Sequence, residues 1–544
     1  MKKITSLLLA LLLYFSLAGC SNDPAATTAT IPGDSMSEST ASDGTSDGGK
    51  STIVVGSITN ALRNASWDLS PWRTSGSSGN TMWPQLYSCL MANPAYGTPL
   101  DDMHYDMAES ISFSDDKLTA TIKIRDYIHD SKGNPIKAQD VVFSYNTAPR
   151  VAPVMAVVDT LLESITDEDE LTVVMKLYVH SPGSWERLLS YMPIVSQSWY
   201  ESASDEERAN DPATTGAYRV LENNHGHSVI LEALDNFWQK DELRSAYQIA
   251  NVRTIRHVAI VEDSMRVIAM ETGEIDMAII ENNSIRRFMN NPDYSVFEYY
   301  MTVPAVYYFN CSENSIFYED PNLRKAVLHA IDFEQVRIAH SGDFGFRNYD
   351  IASAKAGDYD PAWENQPYFD FNPELAKQFL DNSGYDGREI RFMCRNITGQ
   401  VAAVTVFQSN LRDIGIDLVI DAYDQALFNT YLPDPTEWDI VWGSAAMVTG
   451  FVLESWNYYY GVADELGTVG FVQDARLQEL LDIANINNNS ATRNAFRDYT
   501  LEQAYAVGAY TEPGYVVTRK EIVDLPISFL AHQIVNASVV SEVF

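Results

Sequence analysis

Cysteine is scarce, with four residues in 544. Cys20 stands alone near the N-terminus, and Cys89, Cys311 and Cys394 are odd in number and far apart. This pattern gives neither a dense disulfide framework nor the CxxC spacing of a zinc site. Buried thiols, or one bridged pair in an oxidising compartment, are the readings left open. Positive charge is the second shortage: 37 Lys and Arg face 74 Asp and Glu, a formal net charge of -37. That balance argues against nucleic acid and anionic membrane surfaces as partners. It describes a soluble, acid-rich surface and names no cationic ligand by itself. Catalytic signatures are missing too: no HExxH occurs, and no GxSxG or Gly-rich phosphate string is set between a strand and a helix. Among 74 acidic residues, two neighbouring carboxylates say nothing about acid–base chemistry. The apolar run from Leu7 to Leu17 is too short to span a bilayer. No internal repeat is visible.

Apolar residues make up 46% of the chain and aromatics 11%, ample for large cores. The length suits about three domains. Lys2 and Lys3 precede the Leu7–Leu17 run, and Leu17-Ala18-Gly19-Cys20 follows at once. This is the layout of a signal peptide. LAGC resembles a bacterial lipobox, which implies lipidation of Cys20 and an extracytoplasmic protein anchored to the cell membrane. Acyl chains contribute about 0.8 kcal/mol per buried methylene, so several on one cysteine hold firmly. Ser21 to Lys50 is rich in Ser, Thr, Ala, Asp and Gly. It cannot bury enough apolar surface to offset its ordering entropy, so a flexible tether is expected.

The body of the chain is organised around Lys117 to Tyr145. Leu118, Ala120, Ile122 and Ile124 alternate with Thr119, Thr121, Lys123 and Arg125, the period of a half-buried strand. Gly133-Asn134-Pro135 breaks the chain. Val141, Val142 and Tyr145 then fall at helical spacing behind Gln139 and Asp140. The string resembles the strand–Arg–loop–Gly–loop–helix segment of the family 5 extracellular solute-binding proteins, the receptors of peptide and nickel ABC importers. That family usually caps the helix with Thr; Lys137 stands here, and a weaker cap is expected.

Further segments follow the same order as in that family. Ser51 to Ser57 reads as the first strand, Leu69-Ser70-Pro71 as a turn, and Thr81 to Met91, with Tyr87, as a helix. The resemblance puts Ser78, Gly79 and Asn80 in a loop lining the ligand cleft. Leu171 to Leu177 alternates like a strand. Thr214 to Tyr218 resembles a hinge sequence of the family, with Ala217 in place of Pro. Asp235-Asn236-Phe237-Trp238 resembles its Asn-x-x-Tyr-Trp, and Gly273-Glu274-Ile275-Asp276 its helix-ending turn, where φ becomes positive. Val252–Ile260 reads as a strand and Ser264–Met270 as a helix. Asp320-Pro321 and Asn372-Pro373 start helices. Glu389–Cys394, Val401–Ile414 and Ile416–Ile420 make a βαβ unit with a parallel pair. Trp438–Trp442 is the next strand, and ligands of open α/β sheets sit beyond such C-terminal ends. Asp474–Ile483 and Thr492–Val507 read as the last helices, before a return segment from Val516 to Phe544.

The implied fold is α/β, of the type II periplasmic-binding-protein kind: two lobes, one with an extra domain, hinged over a ligand cleft. Its expected divisions are signal peptide 1–20, linker 21–50, one lobe from 51–95, 214–303 and 517–544, an extra domain 96–213, and a second lobe 304–516. Closure is expected to turn on segments near Thr214–Tyr218 and Val303–Asn310. The expected function is capture of an oligopeptide or oligosaccharide for an ABC importer. No enzymatic step, cofactor or metal is expected; the partners are the solute, the permease subunits and, through the anchor, the membrane. Nucleic acid is excluded and a monomer is expected. A lipoprotein sensor or adhesin that reuses the fold, or a secreted hydrolase, are the alternatives. His225-Gly226-His227 lacks a third ligand at metal spacing and reads as a hairpin turn.

Candidate ligand contacts are Ser78, Gly79, Asn80, Trp442, Ser444, Ala445, Glu454, Trp456 and Tyr458. Trp442, Trp456 and Tyr458-Tyr459-Tyr460 form the densest aromatic group, suited to stacking a ring. Peptide receptors of the family usually carry an Asp just beyond the Trp-containing strand, paired with the peptide's α-ammonium. Ser444 to Thr449 has no carboxylate, and Glu454 is the nearest acid. A buried ammonium without a counter-charge costs several kcal/mol. Weak binding of free peptides and better binding of a neutral, ring-bearing solute are therefore expected.

Overall fold

The alternating run at Leu118 forms the strand Thr119–Ile124, with Ala120, Ile122 and Ile124 enclosed and Thr121 and Lys123 outward. The computed structural model describes residues 55–62, 68–73, 82–92, 98–152, 155, 157–180, 183–245, 248–300, 304–365, 368–443, 450–461, 471–523 and 538–539. In it this strand belongs to a four-stranded antiparallel sheet, ordered Ala108–Phe113, Thr119–Ile124, Thr172–Leu177, Leu162–Asp167. Helix Ala138–Val151 sends Val141, Tyr145 and Ala148 into the core that the sheet's inner face lines. Lys137 gives it no side-chain cap. Asp140 partly compensates: its Oδ2 accepts the Lys137 N–H at 2.7 Å and its Oδ1 the Gln197 N–H at 2.7 Å. The helix thus starts on a carboxylate, which also suits the positive end of its dipole.

Two larger sheets carry the rest. The seven-stranded sheet runs Tyr294–Tyr300, Pro513–Arg519, Met277–Ile280, Val55–Leu62, Val252–Ala259, Ser228–Ala233, Tyr218–Asn224. Its centre is parallel, Val55–Leu62 between Val252–Ala259 and Met277–Ile280. The six-stranded sheet runs Phe346–Arg347, Ala506–Thr511, Ala305–Phe309, Ile440–Gly443, Ile390–Arg395, Leu418–Tyr423. Ile390–Arg395 pairs in parallel with Leu418–Tyr423 across helix Thr398–Asp413, the expected βαβ unit. One apolar core, from Val306 to Tyr510, belongs to the six-stranded sheet; a second, mostly from Ile58 to Met277, joins the four- and seven-stranded sheets.

The chain passes between the two large sheets between Tyr300 and Ala305 and again at Glu512. The second passage lies earlier than the expected boundary after residue 516, which falls inside strand Pro513–Arg519. Glu512 is held from the six-stranded side by His340, whose Nδ1 lies 2.8 Å from its Oε1. Thr214–Tyr218 is not a connection between the large sheets. It runs buried from the four-stranded part into strand Tyr218–Asn224, within the second core. Gly216 N–H donates to Leu86 O at 2.8 Å. A Cβ on Gly216 would lie 2.4 Å from Gln85 O, so only glycine lets these backbones meet.

That contact also corrects the expected helix Thr81–Met91, which is only Trp83–Leu86. Tyr87 turns extended, its hydroxyl donates to Leu69 O at 2.8 Å, and Ser88 N–H donates to Thr215 Oγ1 at 3.2 Å. A fully buried backbone takes its partners from the tertiary neighbours it has, whatever its local propensity. The expected helix Thr492–Val507 likewise stops early, as Ser490–Gln503. Ala504 takes φ 56°, and Ala506–Thr511 becomes the strand between Ala305–Phe309 and Phe346–Arg347. Asp320 and Asn372 cap their helices by accepting from Leu323 and Leu375 N–H, as expected. Gly273 ends helix Asp263–Thr272 at φ 75°. The His225–His227 stretch is the hairpin turn, with His227 N–H bonded to Asn224 O. Among the described residues no helix is long and apolar enough to cross a membrane.

Candidate functional site

Strand Ile440–Gly443 carries Trp442 opposite Tyr307 of the central strand. The indole is 5% exposed, 5.3 Å from the Tyr307 ring and 5.1 Å from that of His340. At Gly443 the Tyr308 ring fills the side-chain position: a Cβ would meet its Cε2 at 1.9 Å. Ser444 and Ala445 lie outside the described residues, as do Ser78, Gly79, Asn80 and Cys20. The chain resumes at Gly450, φ 85°, and helix Val452–Tyr460 begins.

Three carboxylates define that helix. Asp358 Oδ1 accepts Val452 N–H at 2.7 Å, a cap supplied from a distant loop. Asp350, buried, accepts the Trp456 indole N–H at 2.9 Å and stands 3.3 Å from Arg497 Nε, itself fully buried. The Arg497 guanidinium lies over Trp363 and Tyr368, 4.9 and 5.0 Å from their ring centres. Glu454, in the first turn, meets Arg187 of helix Ser184–Ser190 at 3.3 Å. Trp456 is 1% exposed and Tyr459 packs 4.5 Å from Tyr308, while Tyr458 is the ring that reaches the surface, 40% exposed.

The structure therefore brings Glu454, Trp456 and Tyr458 onto one helix beside the strand of Trp442, but encloses both indoles. Arg187, Asp350, Asp358 and Arg497 had no signal in the sequence, since Arg187 and Glu454 are 267 positions apart. Among the described residues no group of three or more His, Cys, Asp and Glu could hold a metal. Cys89, Cys311 and Cys394 are free and buried. Burial pushes the Cys89 thiol well up and the Cys311 and Cys394 thiols to about 11, which keeps them protonated and inert.

Comparison with known proteins agrees with this architecture. The family model described as bacterial extracellular solute-binding proteins, family 5 Middle, matches residues 102–465, more than half of the chain. The chain is 22% identical over 249 residues to the probable peptide-binding protein YejA of Agrobacterium fabrum, covering 42% of this chain and 40% of that one. It is 21% identical over 424 residues to the oligopeptide-binding protein AppA of Bacillus subtilis, covering 70% and 74%. Against YejA, then, it spans less than half of its relative's length. The crystal structure of the ABC transporter substrate-binding protein CtaP of Listeria monocytogenes superposes with a TM-score of 0.76 at 16% identity, covering 89% of this chain and 99% of that one. Segment order, two separately cored lobes and the family match over residues 102–465 converge: the chain belongs to the bacterial extracellular solute-binding proteins, family 5.

Proposed function

We propose that this protein captures a peptide-class solute outside the cytoplasmic membrane and delivers it to the permease of an ABC importer. The family match over residues 102–465 carries the assignment. The names of YejA and AppA support the peptide class, and the two lobes, joined between Tyr300 and Ala305 and at Glu512, supply a body that can close. The lobes would be the seven-stranded sheet with its four-stranded extension and the six-stranded unit. Binding energy in such a device biases an open–closed equilibrium and makes no covalent change. Cys20 would carry the lipid anchor, the stretch to Lys50 the tether, and a single copy would suffice.

An oligosaccharide is the second reading, favoured by the lack of a carboxylate from Ser444 to Thr449. It asked Trp442 and Trp456 for stacking faces, yet those rings are 5% and 1% exposed, which favours the peptide class. Membrane fractionation and uptake test the proposal together. Deleting the gene should abolish import of short labelled peptides, and the wild-type gene should restore it. Cys20→Ala should release the protein from the membrane fraction. Uptake that is indifferent to the deletion would refute the transport role.

A further inference from the structure

We propose that Arg187 and Glu454 form a latch that holds the two lobes together before any solute arrives. This rests on the two-lobe binding reading above. Helix Ser184–Ser190 is fixed in one core by Trp185, Leu188 and Leu189, all buried, and by the Trp185 indole N–H bonded to Lys117 O at 2.8 Å. Helix Val452–Tyr460 is fixed in the other core by Val452, Leu453 and Trp456, and by the Asp358 and Asp350 bonds at its two turns. Neither helix can move without its lobe. Between them Arg187 Nη1 stands 3.3 Å from Glu454 Oε1, with the two side chains 22% and 17% exposed. An ion pair so far withdrawn from water is screened much less than a surface pair, and it exists only while the lobes are close.

The geometry also sets its strength. Among the described residues the contact is a single 3.3 Å approach rather than a two-pronged fork, and the buried Arg187 Nε has no hydrogen-bond partner. An orphaned donor weighs against the closed state. The latch is thus strong enough to bias closure and weak enough to release, as a receptor that must reopen requires. It also gives Glu454 a role that needs no ligand ammonium: its charge is already matched across the cleft.

Charge exchange tests this on the ligand-free protein, independently of whether a peptide is the right solute. Small-angle scattering should give a larger radius of gyration for Arg187→Glu and for Glu454→Arg than for wild type. The double exchange, Arg187→Glu with Glu454→Arg, should return it to the wild-type value. An Arg187→Gln, Glu454→Gln double variant should also give a larger radius than wild type. With a bound solute, each single variant should dissociate roughly tenfold faster, a coupling within the range seen for contacting charge pairs. Equal radii for all variants, or a double exchange that stays expanded, would overturn the latch. Failure of peptides to bind any of these proteins would instead count against the peptide assignment alone.

Discussion

Asp350→Asn is the substitution from which the structure extracts the most. Asp350 Oδ1 accepts two bonds, from Trp456 Nε1 at 2.9 Å and from Ala352 N–H at 2.8 Å, while Oδ2 faces Arg497 Nε at 3.3 Å. Side-chain exposure of the pair is 5% and 0%. The amide keeps the shape and can keep both Oδ1 bonds, but it turns a donor toward the Arg497 guanidinium and removes the Asp350 charge from it. Removing one partner of a buried pair costs about 3–5 kcal/mol. The Trp363 and Tyr368 rings stand over the cation in either protein and cancel from the difference, so a loss near the lower end, about 3 kcal/mol, is expected. Urea unfolding followed by tryptophan fluorescence reads it. Because the two cores are separate, the transition of the Val306–Tyr510 core should move and the other should not. Replacing both partners, Asp350→Leu with Arg497→Met, should recover most of the loss, since well-packed apolar groups match a buried pair. A shift of Asp350→Asn below about 1 kcal/mol would mean that the pair is solvated and the argument wrong.

Other outcomes follow from single positions. Gly443→Ala drives a methyl into the Tyr308 ring, which Tyr459 backs at 4.5 Å, so overpacking should cost about 1–3 kcal/mol in the same unfolding assay; unchanged stability would show that the ring can yield. Burial raises the Asp106 carboxyl from 3.8 to about 7, so the folded state holds its proton longer and stability from this group falls as pH rises from about 4 to 7. Asp106→Asn should therefore gain on wild type across that window, by at most about 1.4 kcal/mol per pH unit, and a pH-independent difference would contradict it. Burial lowers the His257 imidazole from 6.5 to about 3, between Asn60 and Gln85, so its contribution is lost as pH falls below 6.5. His257→Gln should resist acid better than wild type relative to its own stability at pH 7.5, and an equal acid loss in both would argue against a neutral buried ring.

Where local pattern and tertiary demand agree, the sequence was legible. The alternation at 119–124, the caps at Asp320 and Asn372 and the positive-φ turn at Gly273 are decided within a few residues. Thr81–Met91 misleads because its apolar residues suit a helix, while a wholly buried environment supplies strand-like partners after Leu86. Ala506–Thr511 misleads because Ala504 and Ala506 extend the helical pattern into a segment whose bonds go to Ala305–Phe309 and Phe346–Arg347. Thr214–Tyr218 has the look of a hinge, yet Gly216 is there to let two backbones touch. At the candidate site Glu454, Trp456 and Tyr458 share a helix, as their spacing allows. That both indoles are enclosed, and that Glu454 meets Arg187, depend on pairings hundreds of residues apart.

Titration calorimetry of the purified protein, with a mixed library of short peptides and a panel of neutral oligosaccharides, tests the central claim most directly. Saturable binding of peptides at micromolar or tighter affinity, about -8 kcal/mol or better, with no heat from the oligosaccharides, is the expected result. Saturable binding of a neutral oligosaccharide with every peptide silent would contradict it.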